Sequence, residues 1–345
     1  MRGRGSSDNP KNRFERLHVE IDDAEEVSSR TQLIRDTSRT IIATNDSPDV
    51  GFEASVNPYR GCENGCAYCY ARPTHEFLGL SAGLDFESKI FVKEDAPALL
   101  RRELASRRWQ PKPLAFSGVT DAYQPVERRL ELTRRCLEVC VEFRNPVMII
   151  TKRHLVVRDA DLLADLARDG AAAVCLSITT LDADLAGALE PRASRPALRL
   201  QAIEELTAAG VPAGVLVSPI IPGLTDHEIT AILEAAARAG AAFAGHQIVR
   251  LPLTVAPLFE AWLDEHAPTR KEKVLNRLRS MRDGRLNDPR FGNRMKGSGP
   301  FAEQISSLFK ISKRKAGIPG GFPSLSIDAF RRPPADGQIS LFGEP

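Results

Sequence analysis

A chain of 345 residues, 42% of them hydrophobic and with a formal net charge of only +2, can bury one large barrel-sized domain with extensions. No apolar run approaches the length needed to cross a membrane, and the polar opening Met1-Arg2-Gly3-Arg4-Gly5 offers no hydrophobic signal segment. A membrane protein and a secreted disulfide scaffold are thereby set aside, and the reducing cytoplasm is the expected compartment. Residues 1–45 carry few large apolar residues and many Arg, Asp, Glu and Ser without sustained periodicity, which predicts a polar, extended or disordered leader.

The next stretch, 57–72, reads Asn57-Pro58-Tyr59-Arg60-Gly61-Cys62-Glu63-Asn64-Gly65-Cys66-Ala67-Tyr68-Cys69-Tyr70-Ala71-Arg72. Cys62, Cys66 and Cys69 put three thiolates on one tight loop with no fourth beside them. A four-iron, four-sulfur cluster held by three cysteines has one iron that can bind a further ligand. A structural zinc site completed by His75 is the alternative, although the unequal spacing, with Gly61 just before it and Gly65 within it, suits a loop wrapped around a bulkier group. Cys136 and Cys140 in a helical stretch and Cys175 in an apolar one read as buried small hydrophobes.

Beyond the loop, short apolar runs alternate with helical patterns. Strands are predicted at 114–117, 147–151, 174–179, 211–219 and 243–249, with helices at 127–143, 159–168, up to 209, and at 226–239. Strict alternation implies a parallel sheet with helical crossovers, and about six such units give an α/β fold, a partial (β/α)6 TIM-like barrel over 46–255. Parallel barrels carry their chemistry at the carboxyl ends of the strands. Those ends are polar here: Ser117-Gly118-Val119-Thr120-Asp121, Thr151-Lys152, Ser177-Ile178-Thr179 and Ser218-Pro219. Asp226 is expected to cap the helix that follows it.

The cysteine motif with Tyr68 before its last cysteine resembles the radical SAM superfamily, and the chain to about residue 250 is similar to the branch that contains spore photoproduct lyase and other photolyase-like proteins. The resemblance implies a four-iron, four-sulfur cluster on Cys62, Cys66 and Cys69, with S-adenosyl-L-methionine (SAM) on the open iron. Tyr68 would lie against the adenine, Lys152 would pair with the SAM carboxylate, and Ser177 would bond the ribose or methionine end. Thr120 and Asp121 would meet the amino group, and Ser117 and Ser218 complete the expected SAM set. A similar Glu-Pro element occurs in the family where this chain has Glu190-Pro191-Arg192, and the nearby Arg195 and Arg199 read equally well as a solvated helix face. The implied chemistry is reductive cleavage of SAM to a 5′-deoxyadenosyl radical that takes hydrogen from the substrate, with electrons from a donor such as flavodoxin or ferredoxin. One departure touches function. Spore photoproduct lyase has a hydrogen-donating cysteine where this chain has Gly118, so Tyr70, Tyr123 or another residue would have to supply the returning hydrogen.

The C-terminal part, a basic helical extension over 256–318 and a flexible tail over 319–345, bears on the substrate. Residues 270–315 hold fourteen Lys or Arg against four Asp or Glu, a local excess of +10 in a chain of +2. Such segregation, with Phe291 and Phe309 interleaved, is expected of a face that meets DNA or another nucleic acid. Gln338-Ile339-Ser340-Leu341-Phe342 resembles the bacterial sliding-clamp binding peptide. The expected function is hydrogen abstraction from a nucleic acid in DNA repair. The alternatives are a radical maturase acting on a protein or small metabolite, and a non-catalytic iron–sulfur or zinc nucleic-acid binding protein.

Overall fold

The computed structural model describes residues 4–6, 8–14 and 30–333, and the clamp-like peptide 338–342 lies outside them. Among the described residues ten strands fall into two sheets. The larger is built from β2 (Ile42–Thr44), β3 (Ala54–Val56), β6 (Leu114–Phe116), β7 (Val147–Thr151), β8 (Ala172–Ile178), β9 (Ala213–Ile220) and β10 (Phe243–Ile248), in the order β10-β9-β8-β7-β6-β3-β2. Every pair is parallel except β2 with β3, so six parallel strands make the expected partial (β/α)6 barrel. All seven residues of β8 are buried, as befits a central strand covered on both faces.

The smaller sheet, β1 (Gln32–Arg35), β5 (Lys89–Val92) and β4 (Tyr59–Arg60), feeds the chain into the cysteine loop. Two strands, β1 and β2, thus come from the segment read as a polar leader. Their side chains are mostly exposed, so they carry little apolar signal; backbone pairing holds them, β1 to the distant β5 and β2 to the neighbouring β3.

The crossovers are helical: α1 (Leu84–Ser88), α2 (Ala96–Ala105), α3 (Glu127–Leu130), α4 (Leu132–Phe143), α5 (Ala160–Ala167), α6 (Ala183–Leu189), α7 (Pro196–Ala208) and α8 (Ile229–Arg238). The single helix predicted at 127–143 is broken at Glu131, which takes φ 53°. The cause is Glu127: its buried carboxylate accepts from Thr133 N at 3.1 Å and Arg134 N at 3.3 Å, satisfying amides at the start of a second helix, and from Tyr59 OH at 2.5 Å. Asp226 also departs from expectation. Its carboxylate accepts from Gly223 N and pairs with Arg277 at 2.6 Å, while α8 begins after Glu228.

Three further helices, α9 (Val255–His266), α10 (Pro268–Ser280) and α11 (Pro300–Lys315), form the extension, with α11 packed on α8. The loop between α10 and α11 returns to the sheet. Met295 O accepts from Ile248 N at 3.0 Å, and Arg294 pairs with Asp49 at 2.5 Å. Much of the basic run is therefore structural: Arg277, Lys271, Arg290 and Arg294 hold carboxylates, and Arg282 is buried. Arg285, Lys296, Lys310, Arg314 and Lys315 remain exposed. No described helix is long and apolar enough to cross a membrane.

Candidate active site

The cysteine loop is shaped from beneath. Gly61 takes φ +80°, and a Cβ there would meet His75 Cε1 at 2.8 Å and Phe86 O at 2.9 Å; Gly65 takes φ +66° with the Glu87 carboxylate 2.7 Å from where its Cβ would stand. Only glycine fits either turn without strain. Arg72, fully buried, donates to Cys66 O at 2.8 and 3.0 Å and pairs with the buried Glu87 at 2.5 Å. The 4–14 segment closes the other side, with Gly5 N donating to Glu87 at 3.0 Å and Leu84 N to Asp8 O at 3.1 Å.

Above the loop an open cavity is lined by Cys62, Cys66 and Cys69 together with Tyr68, Ser117, Thr120, Asp121, Lys152, Ser177 and Ser218. Every side chain expected from the sequence to hold the cluster or SAM is brought to this one cavity. Parallel order explains it, because β6, β7, β8 and β9 deliver their carboxyl ends side by side. His75, the candidate for completing a zinc site, does not line it; the ring bonds Lys89 O at 2.9 Å and packs edge-on against Phe86. Nor, among the described residues, do any three His, Cys, Asp or Glu side chains group closely enough for one ion.

Individual geometries refine the roles. Tyr68 is buried, and its hydroxyl meets Thr179 Oγ1 at 3.1 Å and donates to the Glu190 carboxylate. Glu190 also accepts from Thr179 Oγ1 at 2.8 Å, pairs with the buried Arg199, and lies 3.5 Å from Lys152 Nζ. Burial by itself would raise the Glu190 carboxyl; Arg199 and Lys152 outweigh it and hold the pKa at about 2. Lys152 Nζ donates to Ser218 O at 3.2 Å and stands 5.9 Å from the Tyr68 ring centroid. Burial pushes all three loop thiols up, so a cationic iron centre is what would favour their thiolate forms.

Thr120 and Asp121 line the cavity with atoms already engaged. Asp121 accepts from Thr151 Oγ1 at 2.6 Å and from Tyr123 N, Lys152 N and Asn64 Nδ2 at 2.9 Å each, which uses the acceptor capacity of a carboxylate. Thr120 Oγ1 donates to Gly61 O at 2.6 Å. Both bind the cysteine loop to the ends of β6 and β7. The arginines after Glu190 divide: Arg199 is a buried partner, whereas Arg195 is exposed. Sequence reasoning missed the Glu190–Arg199 pair and the cavity residues Asn64, Gln247, Arg250 and Met295; Asn64 within the cysteine loop and Arg250 at the end of the last predicted strand were within reach of the same rules, whereas Met295 belongs to no local pattern. Tyr70 lines the cavity and donates to Gly118 O at 2.7 Å, whereas Tyr123 is buried against Asp159.

Comparison with known proteins agrees with this geometry. The model of the Radical SAM superfamily matches residues 56–236, and the chain belongs to that superfamily. Members of the family use a four-iron, four-sulfur cluster and SAM. An uncharacterised protein of Mycobacterium tuberculosis is 37% identical over 175 residues, 51% of this chain and 52% of that one. An uncharacterised protein of Methanocaldococcus jannaschii is 30% identical over 202 residues, 59% of this chain and 73% of the relative. The chain spans about half the length of the mycobacterial relative it matches. In fold it is similar to a point mutant of spore photoproduct lyase, with a TM-score of 0.61, 16% identity and coverage of 83% of this chain and 80% of the other. It is likewise similar to that lyase complexed with dinucleoside spore photoproduct, with a TM-score of 0.60, 17% identity and coverage of 82% and 79%.

Proposed function

We propose that this chain is a radical SAM enzyme whose substrate is a nucleic acid, with a damaged nucleotide in DNA as the favoured target. The observation that carries the reading is the convergence of Cys62, Cys66, Cys69, Tyr68, Lys152, Ser177 and Ser218 on one cavity. When bound, a cluster on the three cysteines supplies the electron for SAM cleavage and hence the hydrogen-abstracting radical. The residues of this chain orient and shield. Lys152 Nζ, beside the thiols, is a charged donor for the SAM carboxylate, with Ser177 and Ser218 as hydroxyl partners and Ser117 on the adjoining strand end. Tyr68, pinned at its hydroxyl by Thr179 and Glu190, presents a fixed ring to the adenine. Asp121 and Thr120 hold the loop that carries the cysteines.

A nucleic-acid substrate is supported by the exposed basic residues of the extension, whose connecting loop supplies Met295 to the cavity wall. A solved protein of the same fold binds dinucleoside spore photoproduct. Tyr70, whose hydroxyl meets the Gly118 carbonyl, is the side chain we assign to return hydrogen in place of a thiol. The peptide 338–342 would recruit a sliding clamp, and flavodoxin or ferredoxin would deliver the electron.

The test is anaerobic reconstitution with iron and sulfide, reduction, and measurement of 5′-deoxyadenosine from SAM with and without ultraviolet-irradiated DNA. Formation of 5′-deoxyadenosine that rises with irradiated DNA supports the proposal. Formation indifferent to DNA points to a protein or metabolite substrate. None at all, from protein carrying a full cluster, refutes the catalytic reading.

A further inference from the structure

Arg250 follows β10 on the wall of the same cavity, and no carboxylate bonds to it among the described residues. Its Nη1 meets the Met295 thioether at 3.7 Å, its guanidinium lies 5.3 Å from the Tyr70 ring centroid, and its buried Nε has no hydrogen-bond partner among the described residues. A thioether and a ring face are weak partners for five N–H donors. The charges around it add to the imbalance. Arg294 from the returning loop repels it, and Arg250 in turn repels the buried Arg282. The acid within reach, Asp49, is taken by Arg294 at 2.5 Å and by Gly292 N at 2.6 Å. Burial and Arg294 accordingly pull the Arg250 pKa below its ordinary value, against weaker opposite pulls from Tyr70 and Asp49.

A guanidinium crowded by like charge and left with an idle donor is stabilised by an anion brought to it, and its fork geometry matches two oxygens of a phosphate. Two anions are at hand in a radical SAM site with a nucleic-acid substrate: the SAM carboxylate and the substrate backbone. Lys152 Nζ stands 5.9 Å from the ring centroid of Tyr68, a residue 6% exposed between Cys66 and Cys69, and so stands at the cluster end. The neighbours of Arg250 are instead Tyr70, Asp49, Arg294 and Met295, of which Tyr70 is 43% exposed, so Arg250 belongs to the outer rim.

We infer that Arg250 is a phosphate subsite: it receives a phosphodiester flanking the nucleotide that enters the cavity, so the site selects a nucleotide within a strand over a free nucleoside or a neutral metabolite. This rests on the nucleic-acid reading above. The test is fluorescence anisotropy of a short oligothymidylate over a salt series, with the reconstituted wild type, Arg250→Gln and Arg250→Lys, and with an oligothymidylate carrying one neutral methylphosphonate linkage. We expect Arg250→Gln to bind on the order of tenfold more weakly, with a salt slope smaller by about one phosphate contact. Arg250→Lys keeps the slope. The neutral linkage weakens the wild type and leaves Arg250→Gln unaffected. Iron content and thermal midpoint establish that the variants are folded; if Arg250→Gln is not, the lysine variant and the neutral linkage decide. A wild type that binds with a steep salt dependence matched by Arg250→Gln overturns the inference and leaves the nucleic-acid reading standing. A raised SAM requirement with unchanged oligonucleotide binding overturns it in favour of the SAM carboxylate. A wild type without salt-dependent binding sinks the nucleic-acid reading itself, and this inference with it.

Discussion

Replacing Arg199 by Met removes the guanidinium that faces Glu190 in the interior, where the two side chains are 1% and 0% exposed. The remaining partners of the carboxylate are the hydroxyls of Tyr68 and Thr179 and the ammonium of Lys152 at 3.5 Å. A carboxyl held at about 2 against an ordinary value of 4.5 is stabilised in its ionised form. Breaking a buried pair from one side costs about 3–5 kcal/mol. The folded pKa lies below the unfolded one, so the stabilisation is complete above about 4.5 and is lost as pH falls towards about 2. Arg199→Met should therefore cost roughly 3 kcal/mol at neutral pH, with a gap to wild type that narrows below about pH 4.5. Adding Glu190→Gln, which removes the stranded charge, should return much of the loss. Urea titration followed by far-UV circular dichroism, at matched iron content, reads the wild type and both variants. A single variant within about 1 kcal/mol of wild type at neutral pH, or a gap indifferent to acid, would refute the claim that this pair is an uncompensated charge when broken.

Other outcomes follow from the same geometry. Alanine at Cys62, Cys66 or Cys69 should abolish iron retention and 5′-deoxyadenosine formation together, and a variant that kept both would remove that thiol from the ligand set. Lys152→Ala should raise the SAM concentration for half-maximal cleavage by about tenfold or more, the worth of one charge-assisted hydrogen bond, with a smaller effect on the maximal rate; an unchanged requirement would detach Lys152 from SAM. Gly61→Ala combines a left-handed backbone with contacts under 3 Å and should cost about 1–3 kcal/mol and weaken cluster retention, read by thermal midpoint and iron content. If the proposed lesion is the substrate, Tyr70→Phe should leave SAM cleavage running while the hydrogen-returned product falls behind 5′-deoxyadenosine; equal yields would clear Tyr70 of hydrogen return.

Local features of the sequence carried a large part of this protein. Three cysteines within eight residues, preceded by Gly61 and with Gly65 among them, specify a tight ligand loop because both spacing and backbone freedom are written in adjacent residues. Alternating apolar runs and helical patterns specify parallel strands, and parallel order by itself delivers Ser117, Lys152, Ser177 and Ser218 to one end. Contacts between distant segments were decided only by the tertiary structure. The exposed strand β1 gains its place from backbone pairing with β5, more than fifty residues further on, for which side-chain periodicity has no signal. Asp121 became a latch because Asn64, Thr151 and Lys152 meet it there, and Arg199 became a buried partner because α7 turns it towards Glu190. Among the described residues Arg250 bonds no carboxylate, because the loop that comes back over β10 brings Met295 beside it and its Arg294 takes Asp49. Ligand type and spacing are short-range properties of the chain, whereas burial and charge pairing depend on which distant segments the fold sets side by side.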